Sequence, residues 1–481
     1  MIQHKNSNNC SNKSNSTNGV SNEMYSKREY TIDARISTIK DIFKTNNLQP
    51  IVNFDLTETA QFVGSKDEKS TKDRLNKKTY DNFKDIICNQ IGGKLRYVTS
   101  GTTGHTFKGE GKKNGVDIEF AVKVVAYPIK SKLGSITNIT RPENAELLMI
   151  KILSKFVINK ETPHIALPIF TFDTNIEHFT NLISNGYIRE KEDKKRYLKF
   201  VQAYEKKSFH DQVSVLVSEW ANRGDLMHFL QANYDRVPPM FWKVIFFQII
   251  SVLAVIQSKW PGFRHNDLKA NNILLHKTDK CDGVSNYKVL RKNYIIPNIG
   301  YHIKLWDFDF ACIPGIVDNI KVSSDWARDD INVTPTKYQY YDLHFFFNTL
   351  TCENFIPQIM TSSVVPNETK NFIRRVVPDK YKYGDNIIDG KARIKIYVEH
   401  TTPADLLAND EYFAEFRVDP NKIANNKSLN SINITKFLET PSKSSVITEE
   451  IKIKKPRNKK NDLIQDIIKD INADDLIKKL R

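Results

Sequence analysis

The chain has 481 residues, 40% of them hydrophobic, and a formal net charge of +16. That is long enough for a two-lobed body with a substantial core, and the charge draws it toward acidic partners, among them nucleic acid, anionic lipid, acidic protein and nucleotides, without choosing between them. Cys10, Cys88, Cys281, Cys312 and Cys352 stand far apart with no C-x-x-C pair, which argues against a zinc site or a disulfide framework and for a reducing compartment. No signal-peptide core opens the sequence. The longest apolar run, Val244 to Ile256, is interrupted by Gln248 and too short to span a bilayer. It reads as a buried helix of a protein that is intracellular and not secreted.

In chain order, residues 1–24 are rich in Asn and Ser and nearly devoid of apolar side chains, so they are expected to be disordered. Residues 25–91 form an N-terminal extension in which Ile32, Ile36, Ile39 and Phe43 recur at helical spacing. It carries no evident chemistry and is expected to pack on the body of the protein. A strand from Leu95 then runs into the turn Gly101-Thr102-Thr103-Gly104. Two glycines among small hydroxyl residues let the backbone approach a triphosphate, and no G-K-[ST] follows, so this is not a Walker loop.

Phe120 to Val125 is a β-branched strand with Lys123 in its middle. A buried ammonium is costly unless paired, so a phosphate and a carboxylate should meet it, the latter from Glu143 or Glu146 on the following helix. Residues from about 173 to 211 are a charged insertion whose middle reads as a solvated helix, and a strand from Val213 follows. The helix over about 239–259 is apolar on nearly all sides, as a core helix is.

Directly after it comes His265-Asn266-Asp267-Leu268-Lys269-Ala270-Asn271-Asn272, with polar residues at H-x-D-x-K-x-x-N spacing. This sets a carboxylate, an ammonium and an amide around one point, as phosphoryl transfer to a hydroxyl requires. Asp267 accepts the hydroxyl proton, Lys269 steadies the transferring group and Asn272 holds a metal ion. A second insertion over about 276–300 precedes the strand His302 to Trp306, which ends in Asp307-Phe308-Asp309-Phe310. The end of the chain, 418–481, is linker, then the basic run Lys452 to Lys460, then a short amphipathic helix marked by Leu463, Ile464, Ile467, Ile468 and Ile471. That tail is a candidate for docking to nucleic acid, anionic membrane or acidic protein.

A glycine turn, a lysine strand, a glutamate helix, the H-x-D-x-K-x-x-N loop and an Asp-Phe turn, in this order, resemble the eukaryotic-type serine/threonine protein kinases over about residues 92–417. The Asp-Phe-Asp turn, its preceding insertion and Tyr340-Tyr341-Asp342-Leu343-His344-Phe345-Phe346 are similar to the poxvirus late virion kinase group and related kinases of large nucleocytoplasmic DNA viruses. The resemblance implies an α+β bilobal fold, a β-rich N-lobe over about 92–219 and a mainly helical C-lobe over about 222–417, with insertions and polar termini. It implies ATP with Mg2+, or Mn2+, and protein substrates bearing Ser or Thr, in the host cytoplasm or the virion.

By the same resemblance Glu146 is preferred to Glu143 as the partner of Lys123, and Gly101, Thr102, Thr103 and Gly104 cover the phosphates. Main-chain groups around Glu219 to Ala221 receive the adenine, Asp307 joins Asn272 on the metal, and His265 and Asp342 are structural, Asp342 accepting backbone N–H groups of the catalytic loop. Asp309 stands where these kinases carry glycine, which puts the usual flipping of that turn in doubt. Asn266 replaces the usual arginine, so activity is expected not to depend on activation-loop phosphorylation. Three other readings remain: a pseudokinase scaffold on the same fold, a small-molecule kinase, and a nucleic-acid-binding protein.

Overall fold

The computed structural model describes residues 30–43, 78–101, 103–113, 116–279, 283–388 and 390–418. The chain divides into two units, Met1–Phe437 and Leu438–Arg481. The second unit, the tail over 1–24, most of the 25–91 extension, Thr102, the linker, the basic run and the C-terminal amphipathic stretch lie outside the described residues.

Alternation of side chains builds the first lobe. Five strands, β1 (Gly93–Ser100), β2 (Gly104–Lys113), β3 (Val116–Pro128), β4 (Pro168–Asn175) and β5 (Phe209–Glu219), form one antiparallel sheet in the order β1-β2-β3-β5-β4. On β3 the residues Ile118, Phe120, Val122, Val124 and Ala126 are buried on one face. Lys123, one step out of phase, therefore turns to the other face, opposite Thr106 on β2 and Leu216 on β5. The helix α2 (Pro142–Ile158) packs beside this sheet and is buried along almost its whole length.

The 25–91 extension is part of this body where it is described. The helix α1 (Ile32–Phe43) buries Ile39 and Ile42, and Tyr80 bridges in parallel to Asp173 at the sheet edge, supported by Lys78 at 2.6 Å from Asp173 Oδ1. The first insertion is shorter than its charge suggests, because β4 runs to Asn175 and β5 already begins at Phe209. Its helix α3 (Lys191–Glu205) is not simply solvated: Tyr197 and Phe200, three residues apart, are buried, with Phe200 edge-on to His105 at 4.4 Å. Two aromatics on one face help to seat a helix most of whose other positions are charged.

The second lobe is helical around α5 (Pro239–Lys259). It is long and apolar enough to cross a membrane by composition, yet nearly all of it is buried in the core, where Phe246 and Phe247 pack edge-on to Phe347 and Phe413. The helices α4 (Leu226–Asn233), α6 (Asp325–Ile331), α7 (Tyr340–Leu350), α8 (Gln358–Thr361), α9 (Asn367–Val376) and α10 (Pro403–Asn409) complete it. Among the described residues three two-stranded antiparallel sheets decorate the lobe: β6 (Ile273–Lys277) with β9 (Tyr301–Leu305), β7 (Val284–Val289) with β8 (Lys292–Pro297), and β10 (Ile387–Ile388) with β11 (Arg393–Ile394). The second insertion is thus an ordered hairpin, β7–β8, and Val418 at the end of the described body donates its N–H to Asn293 on it.

Candidate active site

Lys123 is where the two lobes meet chemically. Its Nζ lies 2.6 Å from Glu146 Oε1 on α2 and 2.8 Å from Asp307 Oδ1 beyond β9. Glu143, one turn earlier, is held instead by Arg141 at 3.2 Å, and Arg141 also donates to the carbonyls of Gly134 and Pro128. Burial works against the Lys123 ammonium, but Asp307 and Glu146 outweigh it and raise its pKa above the ordinary lysine value. One cation between two carboxylates leaves them unequal. For Glu146 burial dominates, Asp307 and Asp309 add to it against Lys123, and the carboxyl is raised. For Asp307 burial is overcome by Lys123 and the carboxyl is lowered.

The strand pair β6–β9 brings the remaining groups to the same place. Ile273 pairs with Leu305, so the residues flanking them, Asn272 and Trp306, are adjacent, with Trp306 N–H donating to Asn272 O at 3.2 Å. Asn272 Nδ2 donates to Asp267 O and Oδ2 at 2.8 and 3.0 Å, and Lys269 Nζ lies 2.9 Å from the same Oδ2. Asp342, fully buried in the first turn of α7, accepts the N–H groups of His265 and Asn266 at 2.7 and 2.8 Å. His265 Nε2 meets Trp306 O at 3.0 Å, and Asn266 Nδ2 donates to Phe310 O at 2.9 Å. Asn266 and Asp307 both adopt left-handed backbone, φ 63° and 62°, a strained choice for non-glycine residues that such fixed contacts sustain.

The sequence-expected phosphate loop is only partly of this geometry. Gly101 N–H closes the turn on Gly104 O at 2.8 Å, and a Cβ on Gly104 would fall 1.9 Å from Val124 O, so Gly104 is needed for close approach of β2 to β3. Thr103 O accepts from Ala126 N–H at 2.7 Å, and Thr102 lies outside the described residues. At the end of β5, Glu219 N–H is taken by Leu167 O at 3.0 Å, which leaves its carbonyl, with the main chain of the buried Ala221, as the groups that could meet an adenine.

Four cationic side chains that motif reading did not single out complete the surroundings. Arg35 of α1 pairs through Nε and Nη2 with the Glu219 carboxylate, Nε at 3.0 Å, and donates to Pro163 O and Ile165 O at 2.6 and 2.7 Å. Lys304 Nζ approaches Glu219 Oε2 at 2.7 Å, an ion-pair distance without hydrogen-bond direction. Lys321 pairs with Asp309, and Asn319 Nδ2 donates to Asp309 O at 2.9 Å. Arg393 of β11 reaches Asp267 Oδ1 at 2.7 Å. No local spacing announces any of them.

The residues fit a metal-bound nucleotide. Both bonds of the Asn272 amide nitrogen go to Asp267, leaving its oxygen to ligate a metal, and the Asp307 side chain keeps 37% of its surface exposed. Among the described residues there is no cluster of three or more His, Cys, Asp or Glu suited to a metal. Two protein oxygens completed by phosphates are what magnesium usually takes.

A family model described as poxvirus serine/threonine protein kinase matches residues 216–389, a span that includes Asp267, Lys269, Asn272, Asp307 and Asp342. The chain is 44% identical over 388 residues, 80% of each chain, to R400 of Acanthamoeba polyphaga mimivirus, provisionally named a serine/threonine-protein kinase. It is 26% identical over 412 residues to the uncharacterized R402 of the same virus, covering 84% of this chain and 43% of that one. To R301, named in the same provisional way, it is 30% identical over 130 residues, 25% of this chain and 33% of that one.

Proposed function

The chain belongs to the poxvirus-type serine/threonine protein kinases of large DNA viruses, and from that premise we propose that it transfers the γ-phosphoryl group of Mg-ATP to Ser or Thr hydroxyls of proteins. The observation that carries this reading is the convergence of Lys123, Glu146 and Asp307 with Asp267, Lys269 and Asn272. Lys123, held by Glu146, orients the nucleotide's α and β phosphates. Asp267 directs the acceptor hydroxyl and takes its proton as the new O–P bond forms and the bond to the β–γ bridging oxygen breaks, releasing ADP. Lys269 offsets charge on the group in transit. Asp307 and Asn272 would hold magnesium, which when bound neutralises charge on the phosphate oxygens.

The carbonyl of Glu219 and the main chain of Ala221 receive the adenine edge, while Gly101, Thr103 and Gly104 shape the turn above the phosphates. The site of action is the host cytoplasm or the virion, a reading supported by the viral relatives and by widely spaced cysteines suited to a reducing compartment.

The test is transfer of labelled γ-phosphate from Mg-ATP to generic acidic and basic acceptor proteins by wild type and Asp267→Ala. Labelled phosphoserine or phosphothreonine with wild type and none with the variant is the expected result. Nucleotide binding without transfer by either protein would replace this reading with a pseudokinase scaffold. Transfer to an aminoglycoside-type small molecule but to no protein would replace it with a small-molecule kinase.

A further inference from the structure

Arg393 lies 126 residues beyond Asp267 in sequence, outside the span of the matching family model, and its guanidinium is built into the catalytic loop. Nη2 donates to Asp267 Oδ1 at 2.7 Å, and Nη1 donates to Asn266 O and to Tyr341 Oη, the latter at 2.8 Å. The guanidinium carbon sits 3.9 Å from the centre of the Phe345 ring. Arg393, Tyr341 and Phe345 are all buried. A planar guanidinium fixed on one edge by a carboxylate and a carbonyl, and on its face by an aromatic ring, has little freedom left.

The two oxygens of Asp267 are thereby divided. Oδ1 belongs to Arg393, and Oδ2 faces Lys269 and Asn272, the groups assigned to the phosphoryl group and the metal. We propose that Arg393 is a positioning residue for phosphoryl transfer: it pins Asp267 through Oδ1 so that Oδ2 alone meets the acceptor hydroxyl. This assignment deepens the kinase reading and rests on it. In a loose phosphoryl-transfer transition state the carboxylate chiefly orients the hydroxyl and takes its proton late. Geometry then counts for more than basicity. Because the cation comes from a hairpin within the C-lobe, Asp267 is held without any phosphorylated residue.

The experiment measures kcat, and KM for Mg-ATP and for the acceptor protein, in wild type, Arg393→Ala and Arg393→Lys, with nucleotide binding followed by thermal shift. The expected result for R393A is kcat about ten- to a hundredfold lower, the equivalent of one charge-assisted hydrogen bond, with KM for Mg-ATP and the nucleotide-induced shift unchanged. Added ethylguanidinium should restore part of kcat in R393A. R393K should fall between, because an ammonium cannot serve Asp267 and the Asn266 carbonyl in one plane. If R393A does not fold, R393K carries the test, and wild-type kcat in R393K overturns the assignment. An active wild type with equally active R393A, or loss of kcat and nucleotide binding together without rescue, overturns this assignment alone. Failure of wild type itself to transfer phosphate overturns the kinase reading and the assignment with it.

Discussion

Glu146 and Asp307 share the Lys123 ammonium at 2.6 and 2.8 Å, yet one carboxyl is raised and the other lowered, so they contribute differently. In the proposed function Asp307 keeps its charge for the metal, and Glu146 acts as the buried tether that fixes the direction of the lysine. Glu146→Gln keeps the shape of the tether and removes its charge. One charge-assisted hydrogen bond is worth about 1.5–3 kcal/mol, so kcat/KM for ATP should fall about ten- to a hundredfold, and steady-state kinetics against wild type measure it. Unchanged kcat/KM would mean that Asp307 alone orients Lys123. Around the activation segment the cations are likewise committed. Arg264 Nη1 donates to Thr334 O at 2.9 Å and its guanidinium lies 4.0 Å from the Tyr341 ring centre, while Lys321 pairs with Asp309 of the Asp-Phe-Asp turn. Protein treated with phosphatase should therefore keep its initial rate of phosphate transfer, and a collapse of that rate would show that one of these cations awaits a phosphate.

The helix α1 is the element whose role composition hid. From Arg35 it ties the end of β5 to the segment Pro163–Ile165, and from Tyr30, just before the helix, it stacks on His276 of β6 at 4.0 Å. It braces the back of the connection between lobes, on the side away from Lys123. Removing one partner of a buried ion pair typically costs about 3–5 kcal/mol. Arg35→Met should show a loss in denaturant unfolding smaller than that, because Lys304 at 2.7 Å still pairs the Glu219 carboxylate, and the double variant with Glu219→Gln should lose less than the sum of the two single variants. Additive losses in the double variant would count against the pairing. The elements around the site were legible where the signal is local: H-x-D-x-K-x-x-N, the lone lysine in a β-branched strand and the Asp-Phe turn each carry their chemistry within a few residues. Arg35 and Arg393 were not, because their carboxylate partners stand 184 and 126 residues away. In a chain with 72 Lys and Arg, a buried cation looks in sequence like any solvated one. The helix α3 was legible as a helix but its burial was not, since two aromatics in a charged run do not announce which surface receives them.

Across the whole molecule the buried histidines and Lys304 bias stability in one direction with pH, against the raised carboxyl of Glu146. Burial lowers His105 and His276 to about 3, and His302 and His344 to about 4, while His164 is also pushed down. Their folded-state pKa values lie below the ordinary 6.5, so the unfolded chain binds more protons between those limits, and stability is lost as pH falls below 6.5. Burial, partly offset by Glu219, lowers Lys304 from 10.5 to about 7. Here too the unfolded chain binds the extra proton, now from pH 7 to 10.5, so stability climbs as pH rises through that window. The opposing limit comes from tyrosines: burial pushes Tyr97 and Tyr197 up to about 12 and raises Tyr340 further, so the unfolded chain loses protons first above pH 10 and stability falls there. A net charge of +16 near neutrality adds self-repulsion that also eases as pH rises. The sum places the maximum of Tm on the alkaline side, between about pH 8 and 10, rather than in the usual range of about 5 to 8. Calorimetric or fluorescence melts from pH 5 to 11 measure it. Lys304→Met should keep the acid limb set by the histidines and lose the part of the rise between pH 7 and 9, while a wild-type maximum at or below pH 6.5 would mean that these buried groups are solvated in the folded protein.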